Sequence, residues 1–213
     1  MLIGVDEAGR GPVIGPMIVC ALSVEDERKL LDLGIRDSKK LSSEKREYLS
    51  KEIRKISNLS LVEVSAREID SLRKSLTLND ITIQKFAQAI LKIPKIENAE
   101  RIFVDSCDVD ERRFASNLLR FLNFDCELVA EHGADERYPI VAAASVIAKV
   151  SRDERISEFK RLGFEVGSGY PSDEKTINFL KKYMKKNREL PDFVRRSWKT
   201  VERLKQGNLD SYL

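Results

Sequence analysis

After its initial methionine the chain reads Leu2-Ile3-Gly4-Val5-Asp6-Glu7-Ala8-Gly9-Arg10-Gly11-Pro12. Leu2 to Val5 predicts a short apolar strand that ends in a carboxylate pair. A second strand is expected over Ile14 to Val24, where Met17 to Leu22 is continuously apolar. Such a run suits a strand covered on both faces. Adjacent strand residues point to opposite faces, so Asp6 and Glu7 converge on one site only if the chain turns at Ala8-Gly9.

Working outward, Ser42 or Ser43 is placed to cap a helix whose apolar face is Leu49, Ile53 and Ile56. A strand follows over Leu59 to Val64, then a helix over Asp80 to Leu91, stopped by Pro94. Arg101 to Asp105 is a strand with a carboxylate at its end. Arg112 to Leu122 is helical, and Cys126 to Ala130 returns as a strand running into His132-Gly133-Ala134-Asp135. Ile140 to Phe159 is a long Ala-rich helix, able to lie close to a sheet. Further helices are expected from about Ser172 and about Phe193. The order predicts an α/β fold, a mixed sheet with helices on both faces and a C-terminal helical extension.

With 213 residues, 42% of them hydrophobic, one domain with a sizeable core is expected. Lys and Arg number 38 and Asp and Glu 35, a net charge of +3 that is too near balance to argue for nucleic acid. The distribution is more informative. Residues 181–205 hold ten Lys and Arg against three acids, a local +7 that leaves −4 for the rest of the chain. No apolar run approaches the length of a membrane span. The start has neither the basic residues nor the apolar stretch of a secretory signal. Cys20, Cys107 and Cys126 are odd in number and unpaired in spacing, which points to reduced thiols and a cytoplasmic protein. With His132 as its single histidine and no C-x-x-C, the chain disfavours zinc.

Asp6, Glu7, Asp105 and Asp135 stand at or just beyond strand ends, where open α/β sheets collect ligands. Carboxylates gathered there would raise one another's pKa, and a hard divalent cation, Mg²⁺ or Mn²⁺, would relieve the repulsion. Taken singly, each fits better a polar loop following a strand.

The run from Asp6 to Pro16 resembles the opening motif of type 2 ribonucleases H, specifically archaeal ribonuclease HII. The resemblance continues through Asp37-Ser38-Lys39-Lys40-Leu41, Val104-Asp105-Ser106, Ala134-Asp135, Ala143-Ala144-Ser145-Val146-Ile147-Ala148-Lys149 and Gly167-Ser168-Gly169-Tyr170-Pro171. The related ribonuclease HIII would carry a long N-terminal domain ahead of these motifs, so the HII kind is expected. The resemblance implies an RNase H-like fold and an endoribonuclease. Its substrates would be the RNA strand of RNA–DNA hybrids and single ribonucleotides embedded in duplex DNA, in replication and repair. It makes Asp6, Glu7, Asp105 and Asp135 the catalytic, metal-binding set for two cations about 3.5–4 Å apart. Asp6 is then the carboxylate bridging both, and the products carry 5′-phosphate and 3′-hydroxyl ends.

Gly9-Arg10-Gly11 reads either as a tight turn or as a backbone approaching a 2′-hydroxyl, with Arg10 on a phosphate. Tyr170, in its glycine-rich loop, is a surface tyrosine or, by the resemblance, the residue that senses the RNA-to-DNA junction with the glycine motif. Lys39, Lys149, Arg195 and Arg196 complete the expected substrate-binding set, though Lys149 fits a solvent-facing helical stripe equally well. Trp198 reads either as part of the basic run Arg195 to Lys199 or as an anchor of the helix in the core. The catalytic domain is expected over residues 1–205. Residues 206–213 then form a flexible tail in which Gln206, Leu209, Tyr212 and Leu213 resemble the peptide that docks on the sliding clamp, PCNA. A monomer is expected. Two rival classes stand beside this reading: an RNase H-like metal nuclease acting on branched DNA, and a non-catalytic, clamp-tethered nucleic-acid binder.

Overall fold

Five strands form one sheet in the order β3-β2-β1-β4-β5. The computed structural model describes residues 1–35 and 41–209, without the side chains of 207–209. β1 (Leu2–Ala8) lies antiparallel to β2 (Met17–Val24) and parallel to β4 (Arg101–Asp105), which is parallel to β5 (Glu127–Glu131). β3 (Asn58–Val64) follows on the outer side of β2. β1 does not end at the carboxylate pair. Asp6 pairs with Cys20, Glu7 with Val19 and Ala8 with Ile18, so the ladder carries both acids in line.

The chain divides into two compact units. The first comprises Met1–Ala8, Ile18–Glu63 and Thr77–Ser151, and the second Gly9–Met17, Val64–Leu76 and residues from Arg152 onward. In the first unit Ile3, Val5, Ile102 and Val104 are fully buried on one face of the sheet. There α4 (Leu78–Ile90) lies against β1 and α5 (Glu111–Leu119) against β5. Phe86 of α4 meets Phe114 of α5 edge to face, ring centroids 5.8 Å apart. On the other face Ala8, Cys20, Leu22 and Phe103 pack with Leu49 and Ile53 of α2 (Ser43–Ile56) and with the alanines of α7 (Pro139–Arg161). Gly4 makes the approach of α7 possible: a Cβ there would lie 2.3 Å from the Ile140 carbonyl oxygen.

Local chemistry sets the helix starts. Ser42 caps α2 through the Lys45 N–H, and Thr77 and Asp80 form a capping box on α4. Pro139 opens α7, where its missing N–H costs nothing. Three short helices, α1 (Arg28–Asp32), α3 (Ala66–Leu72) and α6 (Ala134–Arg137), are too brief for a periodic signal and were not expected.

The second unit has its own core of Val13, Ile14, Ile156, Val166, Leu180, Val194 and Val201. α8 (Glu174–Lys186) and α9 (Lys199–Leu209) contribute to it. The helix expected from about Phe193 begins only at Lys199, because the preceding residues pair with the segment after β1. Ile14 and Val194 form an isolated bridge, and the Arg195 N–H donates to the Val13 carbonyl at 2.9 Å. α9 runs on through Gln206 to Leu209, so the first residues of the expected flexible tail are helical.

Candidate active site

In the first unit β1 delivers Asp6, which is almost fully buried, and Glu7, which is half-buried. Asp105 ends β4. Its Oδ1 accepts a 2.8 Å hydrogen bond from the Ala134 N–H, which ties the strand end to α6 and the buried Asp135. Gly133 precedes that turn in a left-handed conformation, φ 66°. Asp6 Oδ1 accepts from the Glu7 N–H at 2.7 Å.

The electrostatics bring the four carboxylates together. Burial, and then the charges of Glu7, Asp105 and Asp135, push Asp6 well above the ordinary carboxylate range. Ser145, on α7, pulls the other way, although its Oγ closes no hydrogen bond of good geometry. Asp6 and Glu7 are both paired within β1, and Glu7 is nevertheless the largest of the neighbouring charges that raise Asp6. Among the described residues no three His, Cys, Asp or Glu side chains form a ready-made metal cage. The donor set is nevertheless all oxygen and mutually repulsive, which fits a hard divalent cation. Lys149, half-buried, also lies on α7. Lys39 lies outside the described residues. Cys20 is buried and the other two cysteines half-buried, none of the three in a disulfide, and burial raises the Cys20 thiol.

In the second unit the Gly9–Gly15 segment and the Gly167–Tyr170 loop are joined. The Gly169 carbonyl accepts from the N–H groups of Val13 and Ile14 at 2.9 and 3.2 Å. Gly9 has φ 86°, and a Cβ there would meet the Arg152 side chain at 2.4 Å. Gly11 is exposed, with nothing near its missing Cβ. Arg10 is half-buried and Tyr170 is exposed.

Arg195 corrects the expectation of a substrate-binding side chain. It is fully buried, and its guanidinium donates to the carbonyls of Gly15 at 3.0 Å, Arg10 at 2.9 Å and Gly9. A group so enclosed cannot reach a phosphate in solution. Burial first, and the neighbouring Arg152 charge second, bring its pKa down to about 9. Arg196 is exposed and pairs with Asp192 at 3.5 Å. Trp198 stacks on Arg195, 4.8 Å from ring centroid to guanidinium, and its indole N–H donates to the Gly11 carbonyl at 3.0 Å. The carbonyls of Gly9, Arg10 and Gly11 therefore each accept a bond from the protein.

Arg152 escaped the sequence reading. Its buried guanidinium donates to the carbonyls of Ile14 at 3.2 Å and Ser168 at 3.3 Å, and burial lowers its pKa. The signal available was one arginine in a helix rich in charge, where burial has no sequence mark.

Residues 3–201 match the family model described as Ribonuclease HII. The chain belongs to the ribonuclease HII family. Ribonuclease HII of Methanocaldococcus jannaschii is 43% identical over 96% of this chain and 94% of its own length, and that of Pyrococcus furiosus is 44% identical over 96% and 91%. Among solved structures, ribonuclease H2 from Pyrococcus horikoshii OT3 superposes with a TM-score of 0.90 at 39% identity, covering 97% of both chains. A PCNA:RNase HII complex from Archaeoglobus fulgidus gives 0.89 at 43%, covering 99% of this chain and 100% of that one. The mixed sheet with flanking helices is thus the RNase H-like fold, as expected. Membership makes the chain a hydrolase, an endonuclease acting on RNA in RNA–DNA hybrids. Among the described residues no helix is long and apolar enough to cross a membrane.

Gln206 is exposed on α9, and the backbone of Leu209 ends that helix. The Leu209 side chain, Tyr212 and Leu213 lie outside the described residues.

Proposed function

We propose that the chain cuts the RNA strand of RNA–DNA hybrids and also duplex DNA at a single embedded ribonucleotide. The products would carry 5′-phosphate and 3′-hydroxyl ends. The observation that carries this reading is Asp6, buried and pushed toward protonation by three neighbouring carboxylates. A site of that kind is costly unless it holds a cation.

Asp6, Glu7, Asp105 and Asp135 would hold two divalent cations, Mg²⁺ or Mn²⁺. When bound, such ions make water a nucleophile at neutral pH and stabilise the leaving 3′ oxygen. The protein's own part is positional. The Ala134 N–H fixes one oxygen of Asp105, α6 holds Asp135, and the β1 ladder fixes Asp6. Gly9-Arg10-Gly11 would read the 2′-hydroxyl. Its three carbonyls already accept bonds from Arg195 and Trp198, which would hold the turn in place to meet the substrate. Tyr170 would pack on the sugar of the following deoxynucleotide, with Arg10, Lys39, Lys149 and Arg196 on phosphates.

The deciding experiment is incubation of the chain with duplex DNA containing one ribonucleotide, with Mg²⁺ or with chelator. Metal-dependent cutting on the 5′ side of the ribonucleotide supports the reading. Cutting of branched all-DNA substrates instead, or binding without cutting, would replace it with one of the rival classes.

We further propose that residues from Gln206 to Leu213 dock on a sliding clamp, which would place this monomer at cytoplasmic replication and repair sites. The Archaeoglobus fulgidus complex supports a clamp partnership. Clamp titration against the full chain and a chain ending at Lys205 tests it: equal binding by both would reject the tail.

A further inference from the structure

Two buried guanidiniums, Arg152 and Arg195, lie beneath the surface formed by Gly9–Gly15 and Gly167–Tyr170. Arg195 holds only the first of these segments. Arg152 touches both. It donates from Nη2 to Ile14 of the first segment and to Ser168 of the second, and its Cδ and Nε occupy the space where Gly9 lacks a Cβ. Its guanidinium also sits 5.2 Å from the centroid of the exposed Tyr170 ring. The structure offers no aromatic neighbour for that ring among the described contacts, so the guanidinium supplies the face on which it rests.

We infer that Arg152 is a positioning residue for discrimination at the ribonucleotide–deoxynucleotide junction. It sets the register between the Gly9–Gly11 turn and Tyr170 and orients the Tyr170 ring. The inference rests on the reading of those two elements as the junction sensor. A planar guanidinium is needed for this role, because a lysine ammonium that reached the two carbonyls would still offer no flat face to lie against the ring. Remote misplacement by an ångström is sufficient to cost a large rate factor in a site that works by orientation.

The test compares wild type, Arg152→Lys, Arg152→Met and Tyr170→Ala on two substrates, a duplex with one ribonucleotide and a continuous RNA–DNA hybrid. Thermal melts are recorded for each protein. For Arg152→Lys, kcat/KM at the single ribonucleotide falls about tenfold or more, while on the continuous hybrid it falls less than about threefold. Arg152→Met shows the same skew, since it keeps the stem but not the fork. If either variant fails to fold, the other carries the comparison.

A merely structural role would lower both activities in proportion to the loss of folded protein, and an unchanged ratio of the two rates would overturn the inference. Tyr170→Ala separates the two levels. If it shifts the ratio and the Arg152 variants do not, the junction reading stands and the role of Arg152 is wrong. If Tyr170→Ala leaves the ratio unchanged, the junction reading itself fails.

Discussion

Asp105 Oδ1 and the Ala134 N–H are joined by a 2.8 Å hydrogen bond that brings the end of β4 to the turn carrying Asp135. Two carboxylates 30 residues apart in sequence are thereby placed by one contact. Together with Glu7 they surround Asp6 with negative charge. The first unit thus concentrates the acids, and the second holds the glycine turn and Tyr170.

Arg195 is expected to behave as a structural residue. Arg195→Met removes a charged donor from the carbonyls of Gly9, Arg10 and Gly15. The predicted cost is about 3 kcal/mol or more, since bonds to charged groups are worth more than neutral ones. Arg196→Ala, at an exposed position, changes stability by less than about 0.5 kcal/mol. Urea denaturation of the two variants checks this. Equal, small effects would show that the buried guanidinium contributes little.

Gly9 and Gly11 are predicted to differ although the motif treats them alike. Gly9→Ala forces a side chain into a left-handed backbone and onto Arg152 and Pro16, at about 2 kcal/mol or more. Gly11→Ala meets open space and leaves the melting temperature within a degree or two, about the noise of an exposed substitution. Thermal melts of both decide it, and a stable Gly9→Ala would contradict the geometry.

Asp173 is the group whose pH dependence is most readable. It accepts from the Ser168 N–H at 2.6 Å, the Ser168 hydroxyl at 2.8 Å and the Lys175 N–H at 3.0 Å, and caps α8. These bonds hold its pKa down at about 2. A depressed carboxylate stabilises the fold above its unfolded pKa of about 3.9 and loses that contribution as pH falls through its folded value. Asp173→Asn keeps a capping oxygen but removes the charge that these bonds stabilise, and should therefore cost about 1 kcal/mol at neutral pH. The gap between variant and wild type should narrow from about pH 4 down to about pH 2. A constant gap in urea midpoints over that range would rule out the carboxylate as the cause.

The strand and helix order was legible because the apolar runs are long and separated by polar breaks. β1 was misread as ending at Val5, since a charge pair looks like a strand terminus. Pairing of Asp6 with Cys20 and Glu7 with Val19 continues the ladder regardless. The proposed set of four carboxylates came from the family resemblance and from supposed strand ends, of which only Asp105 is one. The buried arginines were not. Arg195 sits in a basic run that reads as surface, and its burial depends on carbonyls about 180 residues away in sequence. Trp198, for which a core-anchor reading was open, does pack against the second unit's core, and its bond to the Gly11 carbonyl was not legible in the sequence.

The carboxylate centre is tested most directly by kcat for Asp6→Asn on duplex DNA with one ribonucleotide, in saturating Mg²⁺, beside its melting temperature without metal. Removing one charge from a buried, mutually repelling set should leave the metal-free fold at least as stable. It should lower kcat by about 10²-fold or more, the loss of one group that stabilises transition-state charge. A folded Asp6→Asn that cuts at nearly the wild-type rate would contradict the account.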